Sequence, residues 1–326
     1  MCVTCVHLET YAITFYRRKK DTAALMTQSS YSKKKSDRTP KVTPIFIIGS
    51  PRTGSTVLYQ LVVGTFGLPY ISNFTNEYFA KIPLTGLFIQ KFFSPNISLE
   101  SSYGKTRGRF SPSEGSNLMK HWFGGDQPSQ IKSNKILPGR EKSLHRTLKI
   151  SEMIYRGKSL VIKNAWNCFR IPYLAETFPS AKFIWIRRDI YHAALSDLKA
   201  RQITKGSLSE WNSATPANVE ELQTLPPHEQ VIENQYEFNH AICDALLDLE
   251  GDRTLEIWYE DLIDDGRKQM NRISSFLHLE KNEEPKALTA SDTNGTQLSE
   301  TTLNEMQSFI DQHQRFDLYR YKKETT

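Results

Sequence analysis

PIFIIGSPRTGST, residues 44–56, is the stretch on which the fold turns. Its first half, PIFIIG, is a short continuous apolar run, the pattern of a strand buried on both faces of a parallel sheet. The second half sets Gly49 and Gly54 five residues apart and follows them with the hydroxyls of Ser55 and Thr56. TVLYQLVVGTF, residues 56–66, then has the length and apolar spacing of a buried helix. Strand, glycine loop and helix in this order aim backbone N–H groups and a helix dipole at a bound anion. A nucleoside triphosphate loop wants lysine directly after its second glycine. Ser55 stands there instead, and the only cation inside the loop is Arg52.

Outward from the loop, SLVIKN (159–164), KFIWIR (182–187) and TLEIWY (254–259) read as further internal strands. IPYLAETFPS (171–180) reads as a short helix ending near Pro179, and IYHAALSDLKAR (190–201) as another. Apolar residues recur at helical spacing over about 228–250, 264–278 and 299–313. The expected fold class is α/β, with a central, mainly parallel sheet flanked by helices in a single domain over residues 42–326. Residues 1–41 have no period and are rich in Ser, Thr and Lys, which predicts a disordered basic tail. The stretch 68–150 also lacks a clean period and is expected to form ordered binding loops.

Hydrophobic residues make up 38% and charged residues 24% of the 326, ordinary values for a globular chain. No apolar run reaches the roughly 18–20 residues of a membrane span, and the N-terminus lacks the order of a secretory signal, so the expectation is a cytoplasmic protein. Four cysteines are too few for a disulfide framework. Cys2 and Cys5 form a C-x-x-C pair with no partner pair or histidine nearby, and no metal site is expected. The net charge of +6 is unevenly spread. Residues 1–41 carry nine Lys/Arg against three Asp/Glu, residues 42–200 carry 21 against 9, and residues 201–326 carry 12 against 24. A basic segment around the anion loop suggests a polyanionic ligand. No nucleic-acid-binding module accompanies it, so nucleic acid is not an expected partner.

A second basic motif sharpens the reading. KFIWIR runs into Arg187, Arg188 and Asp189, and Ser196 follows Arg188 by eight residues, roughly two helical turns. An arginine at a strand end and a hydroxyl on the next helix can converge on one phosphate. Together, GSPRTGST and IRRDIYHAALS resemble the two phosphate motifs of the sulfotransferases that use 3′-phosphoadenosine 5′-phosphosulfate (PAPS). VIKNAWNCFRIPYL (161–174) and WYEDL (258–262) resemble two further segments of that family, in the right order. The resemblance spans about 44–280.

That resemblance implies roles. The loop of Ser50, Thr53, Gly54, Ser55 and Thr56 would hold the 5′-phosphosulfate, with Arg52 stabilising charge on the leaving phosphate oxygen. Lys163 would approach the sulfuryl group, Arg188 and Ser196 would bind the 3′-phosphate, and Tyr259 would lie near the adenine. Magnesium is not required. The cytosolic branch of the family has a histidine base two residues after the Lys163 position and a tryptophan after the loop, where this chain has Ala165 and Val57. The glycine–lysine segment that completes the 3′-phosphate grip in that branch has no counterpart in FDLYRYKKETT. The Arg-containing loop instead resembles the branch that sulfates glycans and protein tyrosines with a glutamate base. Two carboxylates in the acceptor stretch are candidates for that base, Glu77, which the resemblance favours, and Glu114 in SPSEGS. The expected acceptor is a hydroxyl, with carbohydrate as the default and protein tyrosine or a small molecule behind it. A P-loop kinase would share the fold class but should carry lysine after Gly54, and a non-catalytic nucleotide-binding module would lack a base.

Overall fold

The computed structural model describes residues 42–93, 97, 99, 101–102, 105–125, 136–285, 288 and 298–323. The expectations for residues 1–41, including Cys2 and Cys5, fall outside them. Residues 41–326 form one compact unit.

Its centre is a four-stranded, all-parallel sheet of β1 (Ile45–Ile48), β4 (Val161–Lys163), β5 (Lys182–Arg187) and β6 (Thr254–Trp258), in the order β4-β1-β5-β6. Phe46 pairs with Ile162 on one side and Phe183 on the other, and the Phe46 and Phe183 rings stack at 5.4 Å. Alternate side chains of β1 enter separate cores. Ile45 and Ile47 pack with Leu58 and Val62 of α1 (Ser55–Phe66), whereas Phe46 and Ile48 pack with Leu118, Trp122, Leu148 and Phe238. Burial on both faces explains why the strand reads as an unbroken apolar run.

The stretch 68–150 departs from the expectation of binding loops. It contains α2 (Asn73–Tyr78), α3 (Pro83–Gln90), a hairpin of β2 (Ser101–Ser102) and β3 (Lys105–Thr106), α4 (Ser116–Phe123) and α5 (Glu141–Ile154). Three of the helices have only six to eight residues, about two turns, too short for a 3.6-residue period to show. In the longer α5 the buried face mixes Leu144 and Leu148 with Thr147 and Ser151, which blurs the apolar stripe.

Beyond β4 a 3₁₀ turn (Ala165–Arg170) leads into α6 (Ile171–Thr177). β5 is followed by α7 (Ile190–Lys205), then α8 (Val219–Leu222) and α9 (Pro227–Leu247). After β6 comes a short helix that the sequence reading did not anticipate, α10 (Tyr259–Asp264), and then the helix expected over 264–278, α11 (Gly266–Leu277), which Asp265 caps at the Lys268 N–H. α12 (Glu300–Gln312) closes the chain near a 3₁₀ turn (Gln314–Tyr319). Among the described residues, no helix is long and apolar enough to cross a membrane.

Candidate functional site

The glycine loop leaves the C-terminal end of β1 and enters α1 at Gly54, whose φ of 80° lies in the left-handed region. A Cβ there would sit 2.4 Å from Tyr259 Cδ2, so a side chain is excluded twice over, by the backbone and by the ring. Gly54→Ala is expected to destabilise the fold by about 1–3 kcal/mol, the cost of a non-glycine residue in this backbone region. Chemical denaturation of the variant measures it. Arg52 also has positive φ, at 69°. Its conformation is held from several sides, as strained functional backbone must be. Gln235 Nε2 donates to Pro51 O at 2.9 Å, Arg188 Nη1 to Arg52 O at 3.0 Å, and Thr53 Oγ1 to Ser50 O at 2.8 Å. No side chain caps α1, so the backbone N–H groups of its first turn, at the loop, have no capping side-chain partner, the arrangement by which a helix N-terminus can take an anion.

The two predicted phosphate motifs meet. Arg52 Nε and Nη2 donate to Ser196 Oγ at 3.3 and 3.2 Å. Arg188 stacks over the Tyr259 ring at 4.6 Å, and its Nε is buried without a hydrogen-bond partner. Burial draws the Arg188 guanidinium below its ordinary pKa, opposed by Tyr259, Glu260 and Asp189. Asp189 serves the backbone, accepting from the His192 and Tyr321 N–H groups at 3.2 and 3.0 Å. Arg187 turns away to pair with Glu256 at 3.0 Å.

On the other side of the loop, Lys163 at the end of β4 is buried, lies 3.4 Å from Thr56 Oγ1 and forms an ion pair with Glu114. Asn164 Nδ2 holds the Glu114 carbonyl at 3.1 Å. Glu77 is exposed on α2, with no hydrogen bond or ion pair among the described residues. Ser50, Arg52, Gly54, Ser55, Thr56, Glu77, Glu114, Lys163, Arg188, Ser196 and Tyr259 line one cleft of about 960 Å³. Thr53 lies beneath it, fully buried.

Some of the site is absent from the sequence motifs. Asp197, next to Ser196, is fully buried in the cleft wall, accepts from Ser213 Oγ at 2.8 Å and leaves Oδ1 without a hydrogen-bond partner. Burial raises the pKa of its carboxyl, opposed by Arg201, Ser213 and Arg52. The i, i+4 spacing of Asp197 and Arg201 was a readable signal. On α9, Gln235 and Asn239 buttress the loop from below, the latter reaching Ser50 Oγ at 3.4 Å. The C-terminal segment returns to this end of the sheet, where the Tyr321 N–H donates to Asp189 and the Tyr321 hydroxyl donates to Asp261 at 2.7 Å.

The chain belongs to the sulfotransferase family, whose model matches residues 44–283. The curated relatives it matches include the omega-hydroxy-beta-dihydromenaquinone-9 sulfotransferases Stf3 of Mycobacterium bovis and Mycobacterium tuberculosis, each 26% identical over 254 residues, which cover 72% of this chain. The match spans 63% of the length of those relatives. Among solved structures, a sulfotransferase from Alicyclobacillus acidocaldarius is similar with 14% identity and a TM-score of 0.49, over 85% of this chain and 94% of that one. Sulfotransferase STF1 from Mycobacterium tuberculosis matches with 17% identity and a TM-score of 0.45, over 83% and 72% of the two chains.

Proposed function

We propose that this chain transfers a sulfuryl group from PAPS to a hydroxyl of a carbohydrate acceptor by in-line displacement. The observation that carries the reading is the convergence, in one cleft, of both phosphate motifs with Lys163 and the candidate bases Glu77 and Glu114. Bound PAPS supplies a sulfuryl group activated by its 5′-phosphate. The uncapped N-terminus of α1 and the hydroxyls of Ser55 and Thr56 grip that phosphate. Arg52 and Lys163 stabilise the charge that develops as the bond between sulfur and the phosphate oxygen breaks. Arg188 and Ser196 bind the 3′-phosphate, and Tyr259 flanks the adenine. Glu77 takes the acceptor's proton as its oxygen bonds to sulfur, so the products are a sulfate ester and 3′-phosphoadenosine 5′-phosphate. Glu114, already engaged with the Lys163 ammonium, holds that lysine in place.

Asn73, Asn76, Ser113, Ser116 and Asn117 line the acceptor end with short amides and hydroxyls, groups suited to sugar hydroxyls. They favour the glycan-type branch. A lipid alcohol is the second reading, because the matched mycobacterial relatives are named for a hydroxylated dihydromenaquinone. Transfer of labelled sulfate to a panel of glycan, phenolic and aliphatic hydroxyls separates the two.

The donor assignment has its own test. A ligand that binds only the folded state at a hundred times its Kd adds about 2.7 kcal/mol of stability. 3′-Phosphoadenosine 5′-phosphate without magnesium is therefore expected to raise the melting temperature by about 4 °C, as measured by scanning calorimetry. Adenosine triphosphate with magnesium should give less, and a larger shift from it would replace this reading with a kinase.

A further inference from the structure

Five of the ten exposed large hydrophobic side chains among the described residues fall within residues 78–93, namely Tyr78, Ile82, Phe88, Phe92 and Phe93. Elsewhere such residues are scattered singly, as on most proteins. The segment is centred on α3, whose inner face is fixed. Leu87 is fully buried, and Gly86 lets α3 approach α2 so closely that a Cβ would lie 2.8 Å from the Thr75 side chain. Ile82 at the N-cap of α3, Phe88 on the helix and Phe92 just beyond its C-cap are exposed by 57, 54 and 70%. Phe88 and Phe92 meet edge to face at 5.3 Å. Exposed Lys81 precedes them, exposed Lys91, whose ammonium also donates to Ile154 O at 2.7 Å, stands between Phe88 and Phe92, and residues 78–93 contain no acidic side chain.

We propose that this face docks on an anionic lipid bilayer, with the aromatic rings at the boundary between headgroups and acyl chains and the two lysines among the headgroup charges. Aromatic side chains beside lysines suit that boundary, and anionic headgroups attract such lysines. Charge argues against other occupants. A two-fold contact with a second copy would set Lys81 and Lys91 against their own counterparts, with no carboxylate from the segment between them. Residues 1–41 of the same chain carry nine Lys/Arg against three Asp/Glu and would be repelled. Tyr78, at one edge of the patch, also lines the cleft beside Glu77. Docking thus brings the cleft mouth to the membrane surface, where a headgroup hydroxyl could enter it.

Co-sedimentation of the full chain with vesicles tests this without recourse to turnover. One set is phosphatidylcholine alone, the other equal parts phosphatidylcholine and phosphatidylglycerol. Wild-type protein is expected to bind the mixed vesicles and to bind neutral ones far less. Phe88→Ser with Phe92→Ser should weaken binding about tenfold per residue, and Lys81→Ala with Lys91→Ala about fivefold per residue. Leu247→Ser, at a residue 75% exposed on α9, should change nothing. Thermal melts check that every variant is folded. Binding of the double phenylalanine variant at wild-type strength would assign attraction to other basic residues and overturn the proposal, as would failure of the wild type to bind. A wild-type dimer in light scattering that this variant lacks would show that a second copy covers the face.

Discussion

Glu77→Gln is expected to lower kcat by about 10²- to 10⁴-fold, the usual contribution of a general base, while leaving the affinity for 3′-phosphoadenosine 5′-phosphate nearly unchanged. The substitution keeps the size of the side chain and removes its ability to take a proton. Glu77 lines the cleft from α2, exposed and with no hydrogen bond or ion pair among the described residues, so its carboxylate is open to an incoming hydroxyl. Glu114 differs, because Lys163 occupies one of its oxygens. Glu114→Gln should therefore act through Lys163, with a smaller loss of kcat than Lys163→Ala and little further loss when added to it. Steady-state kinetics of the three variants, with calorimetric titration of the nucleotide, decide between the carboxylates. Near-normal kcat in Glu77→Gln, beside a large loss in Glu114→Gln, would exchange their roles.

Arg188→Ala is expected to weaken binding of 3′-phosphoadenosine 5′-phosphate by about 2–5 kcal/mol, the loss typical of truncating one partner of a desolvated charge pair. A nucleotide lacking the 3′-phosphate should bind the variant almost as it binds the wild type. The geometry makes this contrast informative. Arg188 also donates to the Arg52 carbonyl and stacks on Tyr259, so it has a supporting role besides any contact with phosphate. Equal losses for both nucleotides in isothermal titration would mean that only the supporting role exists.

How much of this could be read beforehand follows from how each element is built. Strands such as KFIWIR were legible because burial on both faces demands an unbroken apolar run, and β5 spans Lys182–Arg187 as read. The loop was legible because a left-handed turn pressed against an aromatic ring admits only glycine at Gly54. Arg188 and Ser196 drew notice as a strand-end arginine and a hydroxyl on the next helix, and both line the cleft. Their convergence with Arg52 could not be read, because it depends on β1 and β5 being neighbours, 144 residues separating the two ends of the Arg52–Ser196 contact. The helices of 68–150 escaped notice because α2, α3 and α4 span only about two turns each, too few for the helical period to show. Gln235 and Asn239 were invisible for another reason. An amide inside a long helix carries no signal until the loop it supports is in place.

The strand order has a consequence for how the chain is made. β1 leaves the ribosome first, yet both of its neighbours come later, β4 beginning at Val161 and β5 at Lys182. At about 5–20 residues per second, synthesis leaves the IFII strand without a sheet partner for roughly 6–23 seconds. Nascent chains stalled before residue 161 are accordingly expected to be cut by protease within residues 45–66, and those stalled well beyond residue 187 to be protected. Throughout that interval an apolar strand with unpaired edges is available to other chains. The yield of native protein is therefore set by elongation rate and chaperone occupancy as well as by the stability of the finished sheet.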